Sequence, residues 1–201
     1  MTLRDLVLRN RSVRRFHQDR PVDLNTLEEL TDLARHTASA GNLQPLRYVL
    51  CAAPAMNAAV FDCLGWAAYL KDWPGPEEGE RPAAYIVVCQ DTTVAATVDC
   101  DHGIASQTIL LGAVEKGLSG CILASVNRKK LARILDLPES LTILLVLALG
   151  QAAENVILEE TAPGGDIRYW RDAAGTHHVP KRGLGEIIAR RYGGGKNTEH
   201  A

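Results

Sequence analysis

Residues 101–124, DHGIASQTILLGAVEKGLSGCILA, hold the reading on which the fold turns. Over 103–116 apolar side chains recur at helical spacing, with Ile104, Thr108, Leu111 and Val114 along one face and Leu110 and Ala113 widening it. A stripe that broad predicts a helix central to the core. After the glycine-bounded break at Gly117-Leu118-Ser119-Gly120, residues 121–124 read as a short buried strand. Outward from this pair the alternation continues. Residues 48–52, 84–90 and 142–149 are short apolar or β-branched runs bounded by Pro or polar residues, so four strands are expected.

Helix starts are marked by their caps. Thr2 precedes a short helix carrying Leu3, Leu6 and Val7, and Asp23 precedes one carrying Leu24, Leu27, Leu30, Leu33 and Ala34. Asn127 precedes a third with Leu131, Ile134 and Leu135, stopped by Pro138, and a last helix is expected over 184–192. Residues 71–82 and 161–182 are rich in Gly, Pro and charge and read as long loops. A single domain is expected over 1–192, with 193–201 as a disordered tail.

Composition removes several function classes. The chain has 201 residues, 46% hydrophobic and 23% charged, which suits a globular core and excludes a disordered body. Its 24 acidic residues against 22 basic ones argue against a surface built to coat nucleic acid or an anionic membrane. The longest apolar run, 141–149, is a strand's length and not a membrane span. The N-terminus has no apolar core of a secretory signal, so the cytoplasm is the expected compartment. The five cysteines include no C-x-x-C pair, and three lie in apolar runs, where reduced, buried thiols are expected.

Local charge is less balanced than the total. Six arginines and two aspartates fall within the first twenty residues, and Arg11-Ser12-Val13-Arg14 sets two guanidinium forks and a hydroxyl within four positions. Such a donor set suits phosphate or carboxylate oxygens, though a solvated basic helix end has the same spacing. Residues 38–45, ASAGNLQP, are small and polar, as in a plain turn or in a segment that lets a flat ligand approach the backbone.

Taken in order, R-S-x-R at 11–14, S-x-x-N-x-Q-P at 39–45, D-x-G-I-A-x-Q at 101–107, G-L-S-G-C at 117–121 and V-P-K-R at 179–182 resemble the nitroreductase family over nearly the whole chain. That resemblance implies an α+β, three-layer fold with a central, mostly antiparallel sheet flanked by helices, in a homodimer holding FMN at the subunit interface. It implies that Arg11, Ser12 and Arg14 lie along the FMN phosphate, ribityl chain and pyrimidine edge, joined at the phosphate by Lys181 and Arg182. Ser39, Ala40 and Asn42 would line the isoalloxazine ring from the partner subunit, and Ala124 and Ser125 would aim a backbone N–H at flavin N5. The implied reaction is ping-pong transfer of hydride from NADH or NADPH through the flavin to a nitroaromatic, quinone or similar small-molecule acceptor. No side chain is implied as an acid or base. A non-catalytic flavin-binding or sensing protein is the alternative on the same fold.

The departures are Leu46, where an aromatic is frequent in the family, and Asn10, where many members carry a base. A substrate lid is expected from 65–80 or 161–178, where Trp66, Tyr69, Trp73, Tyr169 and Trp170 gather, and the same aromatics also suit loop anchoring. His177-His178 reads as a solvated loop pair or as part of the site's mouth. Asp99-Cys100-Asp101-His102 offers four metal-ligand types, but consecutive residues cannot all face one ion. Ser119 lacks a nucleophile-elbow pattern, and no G-x-G-x-x-G follows a strand, so a nicotinamide donor has no dedicated dinucleotide-binding domain.

Overall fold

The four apolar runs pair into one antiparallel sheet. The computed structural model describes residues 1–70 and 72–193. Its elements are α1 (Leu3–Arg9), α2 (Leu24–Arg35), β1 (Leu46–Cys51), α3 (Pro54–Phe61), β2 (Ala84–Asp91), α4 (Asp101–Glu115), β3 (Ser119–Leu123), α5 (Arg128–Ile134), β4 (Leu141–Gly150), β5 (Val156–Thr161), β6 (Trp170–Arg171), β7 (His177–Arg182) and α6 (Leu184–Ile187). A short 3-10 turn, Ala40–Asn42, precedes β1. The chain divides into two compact units, Met1–Asn155 and one beginning at Val156.

In the first unit the sheet order is β1-β2-β4-β3, every neighbour antiparallel. The two inner strands are buried on both faces, which is why their sequences are nearly unbroken apolar runs. Ala84, Ile86 and Val88 of β2 join Leu147 and Leu149 of β4 in a core with Leu27 and Leu30 of α2 and Ala105, Ile109 and Ala113 of α4. The alternating positions Tyr85, Val87, Val146 and Ala148, also buried, belong to the opposite face by the period of two. α3 packs against β2 and α5, so the sheet lies between two helical layers. The α+β class and antiparallel centre match the expectation.

The caps behave as the sequence reading expects. Thr2 and Asp5 form a reciprocal capping box, Asp23 accepts from the Thr26 N–H, and Asn127 from the Lys130 N–H. The two glycines of G-L-S-G have separate tasks. Gly117 ends α4 at φ +76°, while Gly120 brings β3 so close to β4 that a Cβ there would sit 2.4 Å from the Ala148 carbonyl oxygen. Cys51, Cys63, Cys89 and Cys121 are buried and free, and Cys100 is exposed. Burial pushes Cys51 and Cys89 up to about 11 and Cys121 up to about 12, so these thiols are inert at neutral pH.

Three expectations need correction. The helix α3 was absent from the sequence reading although Pro54 stands at its first turn, a favoured place for proline. The stretch 161–182, expected as a loop, contains β6 and β7, which form a second sheet in the order β5-β7-β6 with β5 and β7 parallel. The last helix is four residues, Leu184–Ile187, because Gly185 weakens it and Ile188 is extended at ψ 98°. The expected tail lies outside the described residues from 194 onward. No helix among the described residues is long and apolar enough to cross a membrane.

Gly120→Ala is expected to destabilise the protein by about 1–3 kcal/mol through overpacking, with Gly117→Ala costing about 1–2 kcal/mol through its left-handed backbone. Urea unfolding of the two variants measures both. An unchanged midpoint for Gly120→Ala would show that β3 does not need the close approach.

Candidate functional site

The basic segment 11–16 runs on from α1 along the outer side of β3. Ser12 pairs in parallel with Gly120, and the Val13 N–H donates to the Gly120 carbonyl at 3.1 Å. Buried Val13 and Phe16 anchor the segment, leaving Ser12 exposed and Arg11 and Arg14 half-buried. Beyond β4 the chain returns beside it: the His17 N–H donates to the Gln151 carbonyl and the Ala153 N–H to the Arg15 carbonyl, both at 2.9 Å. Glu154 accepts from the Arg14 and Arg15 backbone N–H groups. Arg15 itself pairs with Glu80 at 2.6 Å, so the three arginines of the segment are not equivalent.

Arg11 is the unusual one. One guanidinium nitrogen, Nη2, donates to the Val7 carbonyl at 2.8 Å, while Nε is buried with no hydrogen-bond partner among the described residues. Desolvation lowers its pKa from the ordinary arginine value, the direction an anionic partner would reverse. Arg14 Nη1 donates to the Ser12 carbonyl at 3.1 Å, which folds its side chain back along the segment.

β3 leads from Gly120 to the exposed pair Ala124 and Ser125, about 13–17 Å further along an extended chain. There the loop after α3 meets it. The Gly65 N–H donates to the Ser125 carbonyl at 2.8 Å, Leu64 bridges Val126, and a Cβ on Gly65 would lie 2.5 Å from Ser125 Oγ. Arg128 Nη2 takes the Ala124 carbonyl at 3.2 Å, turning that peptide's acceptor toward the sheet. Of the expected lid aromatics, Trp66 packs on Phe61 at 5.6 Å and against Gly75, so it anchors the loop, whereas Tyr69 is exposed.

Ser39, Ala40 and Asn42 occupy the connection between α2 and β1. Their hold is Asp101, the first residue of α4 and a buried carboxylate that accepts from Ser39 Oγ at 2.5 Å and the Ala40 N–H at 3.0 Å. In the sequence Asp101 stands out only as a motif position and as one of four adjacent metal-ligand types. A cavity of about 140 Å³ opens beside it, lined by Ser39, Gln44, Tyr48, Arg35 and Arg47 among others. Burial and the Asp101 charge push the Tyr48 hydroxyl up to about 12. No group of three or more His, Cys, Asp or Glu among the described residues is placed to hold a metal ion.

In the second unit Lys181 and Arg182 end β7, exposed, opposite Glu160 and Thr161 of β5. His177 and His178 are buried, which corrects the solvated-loop reading. His178 stacks on Trp170 with ring centroids 3.9 Å apart, Nδ1 lies 2.6 Å from Glu159 and Nε2 3.2 Å from Asp172. Asp172 also accepts from the Thr176 N–H, closing the β6–β7 turn. Hydrogen bonding to Glu159 and then to Asp172 raises the His178 pKa despite desolvation.

A model of the nitroreductase family matches residues 7–151. An NADH dehydrogenase of Thermus thermophilus is 27% identical over 192 residues, covering 82% of this chain and 93% of its own length. Among solved structures, a nitroreductase family protein of Streptococcus pneumoniae superposes with a TM-score of 0.67 at 14% identity, covering 94% of this chain and all of its own. An FMN-dependent nitroreductase of Clostridium difficile superposes at 0.61 with 20% identity, over 75% of this chain and 87% of its own.

The raised His178 value fixes a sign: the imidazolium bridge stabilises the second sheet fully below the unfolded-state pKa and is lost as pH rises through the folded value. Ring-nitrogen NMR is expected to show a His178 midpoint above that of free histidine, with faster amide exchange across 170–178 above it. A midpoint at or below free histidine would contradict the double carboxylate contact.

Proposed function

Because the chain belongs to the nitroreductase family of oxidoreductases, we propose that it is an FMN-dependent NAD(P)H oxidoreductase acting on a nitroaromatic, quinone or similarly electron-poor small molecule. The observation that carries this reading is Arg11. A buried guanidinium nitrogen without a partner, on a segment that also presents Arg14 and the Ser12 hydroxyl, fits a ligand that brings several anionic oxygens. A phosphomonoester is such a group, since it carries nearly two charges and accepts from a guanidinium along two edges.

Arg11 and Ser12 would hold the phosphate, and Arg14 would lie at the pyrimidine edge. The Ala124 and Ser125 backbone would face the reactive edge of the ring, a task any side chain tolerates because the donor is an N–H. Ser39, Ala40 and Asn42, supplied by a second copy of the chain, would line the ring with little bulk. Leu3, Val7 and Leu8 of α1 and Ile104 of α4 are exposed apolar side chains that such a copy would cover. When bound, FMN supplies the hydride chemistry at its N5. The protein's part is to place it, to hold a positive charge at the pyrimidine edge that favours the reduced form, and to leave one face open for donor and acceptor in turn.

Arg11→Ala combined with Ser12→Ala removes one charge-assisted contact of about 1.5–3 kcal/mol and one neutral contact of about 0.5–1.5 kcal/mol, so FMN affinity is expected to fall about thirtyfold or more. Fluorescence titration of apoprotein with FMN measures it. Full flavin retention and unchanged affinity in the double variant would overturn the phosphate site.

A further inference from the structure

Residues 39–44, SAGNLQ, follow a backbone that this sequence does not favour by itself. Gly41, Asn42 and Gln44 all lie in the left-handed region, at φ 56°, 53° and 53°. Glycine enters that region freely, whereas two side-chain-bearing residues within three positions need an outside hold. Backbone-to-backbone bonds within the turn run from the Asn42 N–H to the Ser39 carbonyl and from the Leu43 N–H to the Ala40 carbonyl, and Gln44 Nε2 donates to the Asn42 carbonyl and Oδ1 at 3.3 Å.

The outside hold is Asp101, only 5% exposed and 62 positions away from Ser39 in the sequence. One carboxylate oxygen takes the Ser39 hydroxyl proton and the other the Ala40 N–H, while Ser39 Oγ accepts from the Gln44 N–H at 2.9 Å. Asp101 therefore grips the start of the loop directly and its end through Ser39 Oγ. Asp101 itself is fixed in the first turn of the fifteen-residue α4.

Two acceptor oxygens and not only shape are needed. An asparagine at 101 could keep its oxygen on the Ala40 N–H, but its NH₂ would then donate to Ser39 Oγ, which already accepts from Gln44. The Ser39 hydroxyl proton would lose its acceptor.

We infer that Asp101 is a positioning residue for the flavin site, holding Ser39, Ala40 and Asn42 in the conformation that meets the ring before the cofactor arrives. This rests on the flavin reading above. A loop fixed in advance binds more tightly, because its ordering cost is met during folding and not during binding.

The test uses full-length protein as wild type, Asp101→Asn, Ser39→Ala and the double variant. It reads FMN dissociation constants, visible-region circular dichroism of the flavin-saturated protein, and thermal unfolding of the apoprotein. Asp101→Asn is expected to weaken FMN by about tenfold or more and to change the flavin dichroism at saturation. Ser39→Ala moves both in the same direction by less, and the double variant is no weaker than Asp101→Asn because the two act through one network. A merely structural Asp101 would lower the unfolding temperature and leave the saturated flavin's dichroism untouched. Folded Asp101→Asn protein that binds FMN within about twofold of wild type with superimposable dichroism overturns the inference. If that variant does not fold, an unchanged affinity and dichroism in Ser39→Ala overturns it instead. Wild-type protein that takes up no FMN refutes the flavin reading, and this inference with it, which is distinguishable from a failure confined to the variants.

Discussion

The close approach at Gly120 is the constraint on which the candidate site depends. Without a side chain there, β3 lies tight against the Ala148 carbonyl of β4 on one side and accepts the Ser12–Val13 segment on the other. That double approach converts a run of arginines near the N-terminus from a helix end in solvent into a strip fixed against the sheet. It also fixes the spacing between the arginine strip and Ala124–Ser125, since the strip is paired to Gly120 of β3 and the pair follows directly on the end of that strand. The buried, two-faced β2 and β4 keep that strand from yielding.

The polar groups around the strip sort by partner. Arg15 is paired with Glu80, and Glu154 is engaged with backbone N–H groups, whereas Arg11 keeps a buried nitrogen unmatched. An unmatched buried donor is costly in a structural role and sensible in a binding one. At Asp101 the logic is reversed: both carboxylate oxygens are engaged, and what they hold is the turn that carries Ser39, Ala40 and Asn42. In the proposed function the first would receive an anion and the second would present a surface to the ring.

What was legible in the sequence was local. Thr2, Asp23 and Asn127 bond to groups three residues away, so their caps were visible in composition alone, and the four strands of the first sheet announced themselves as apolar runs. The second sheet was not legible, because Val156–Thr161 is half polar and His177–Arg182 carries a proline and two cations. Its order comes from contacts across strands, the Trp170–His178 stack and the carboxylates on either side of His178, which no period reveals. The arginine strip and the 39–45 segment were found through the family's motifs and not through spacing, which suited a helix end and a plain turn equally. Asp101 stood within a recognised motif, yet its partner lies 62 positions away, and only the folded chain joins them.

In the proposed function this chain would carry electrons from a nicotinamide to a small acceptor through a bound flavin. An anaerobic absorbance scan of the FMN-reconstituted protein, before and after NADH and then NADPH, tests it most directly. The account predicts that at least one nicotinamide bleaches the oxidised-flavin band and that a nitroaromatic or quinone restores it. Bound flavin that neither nicotinamide bleaches, or a protein that binds no flavin, would contradict it.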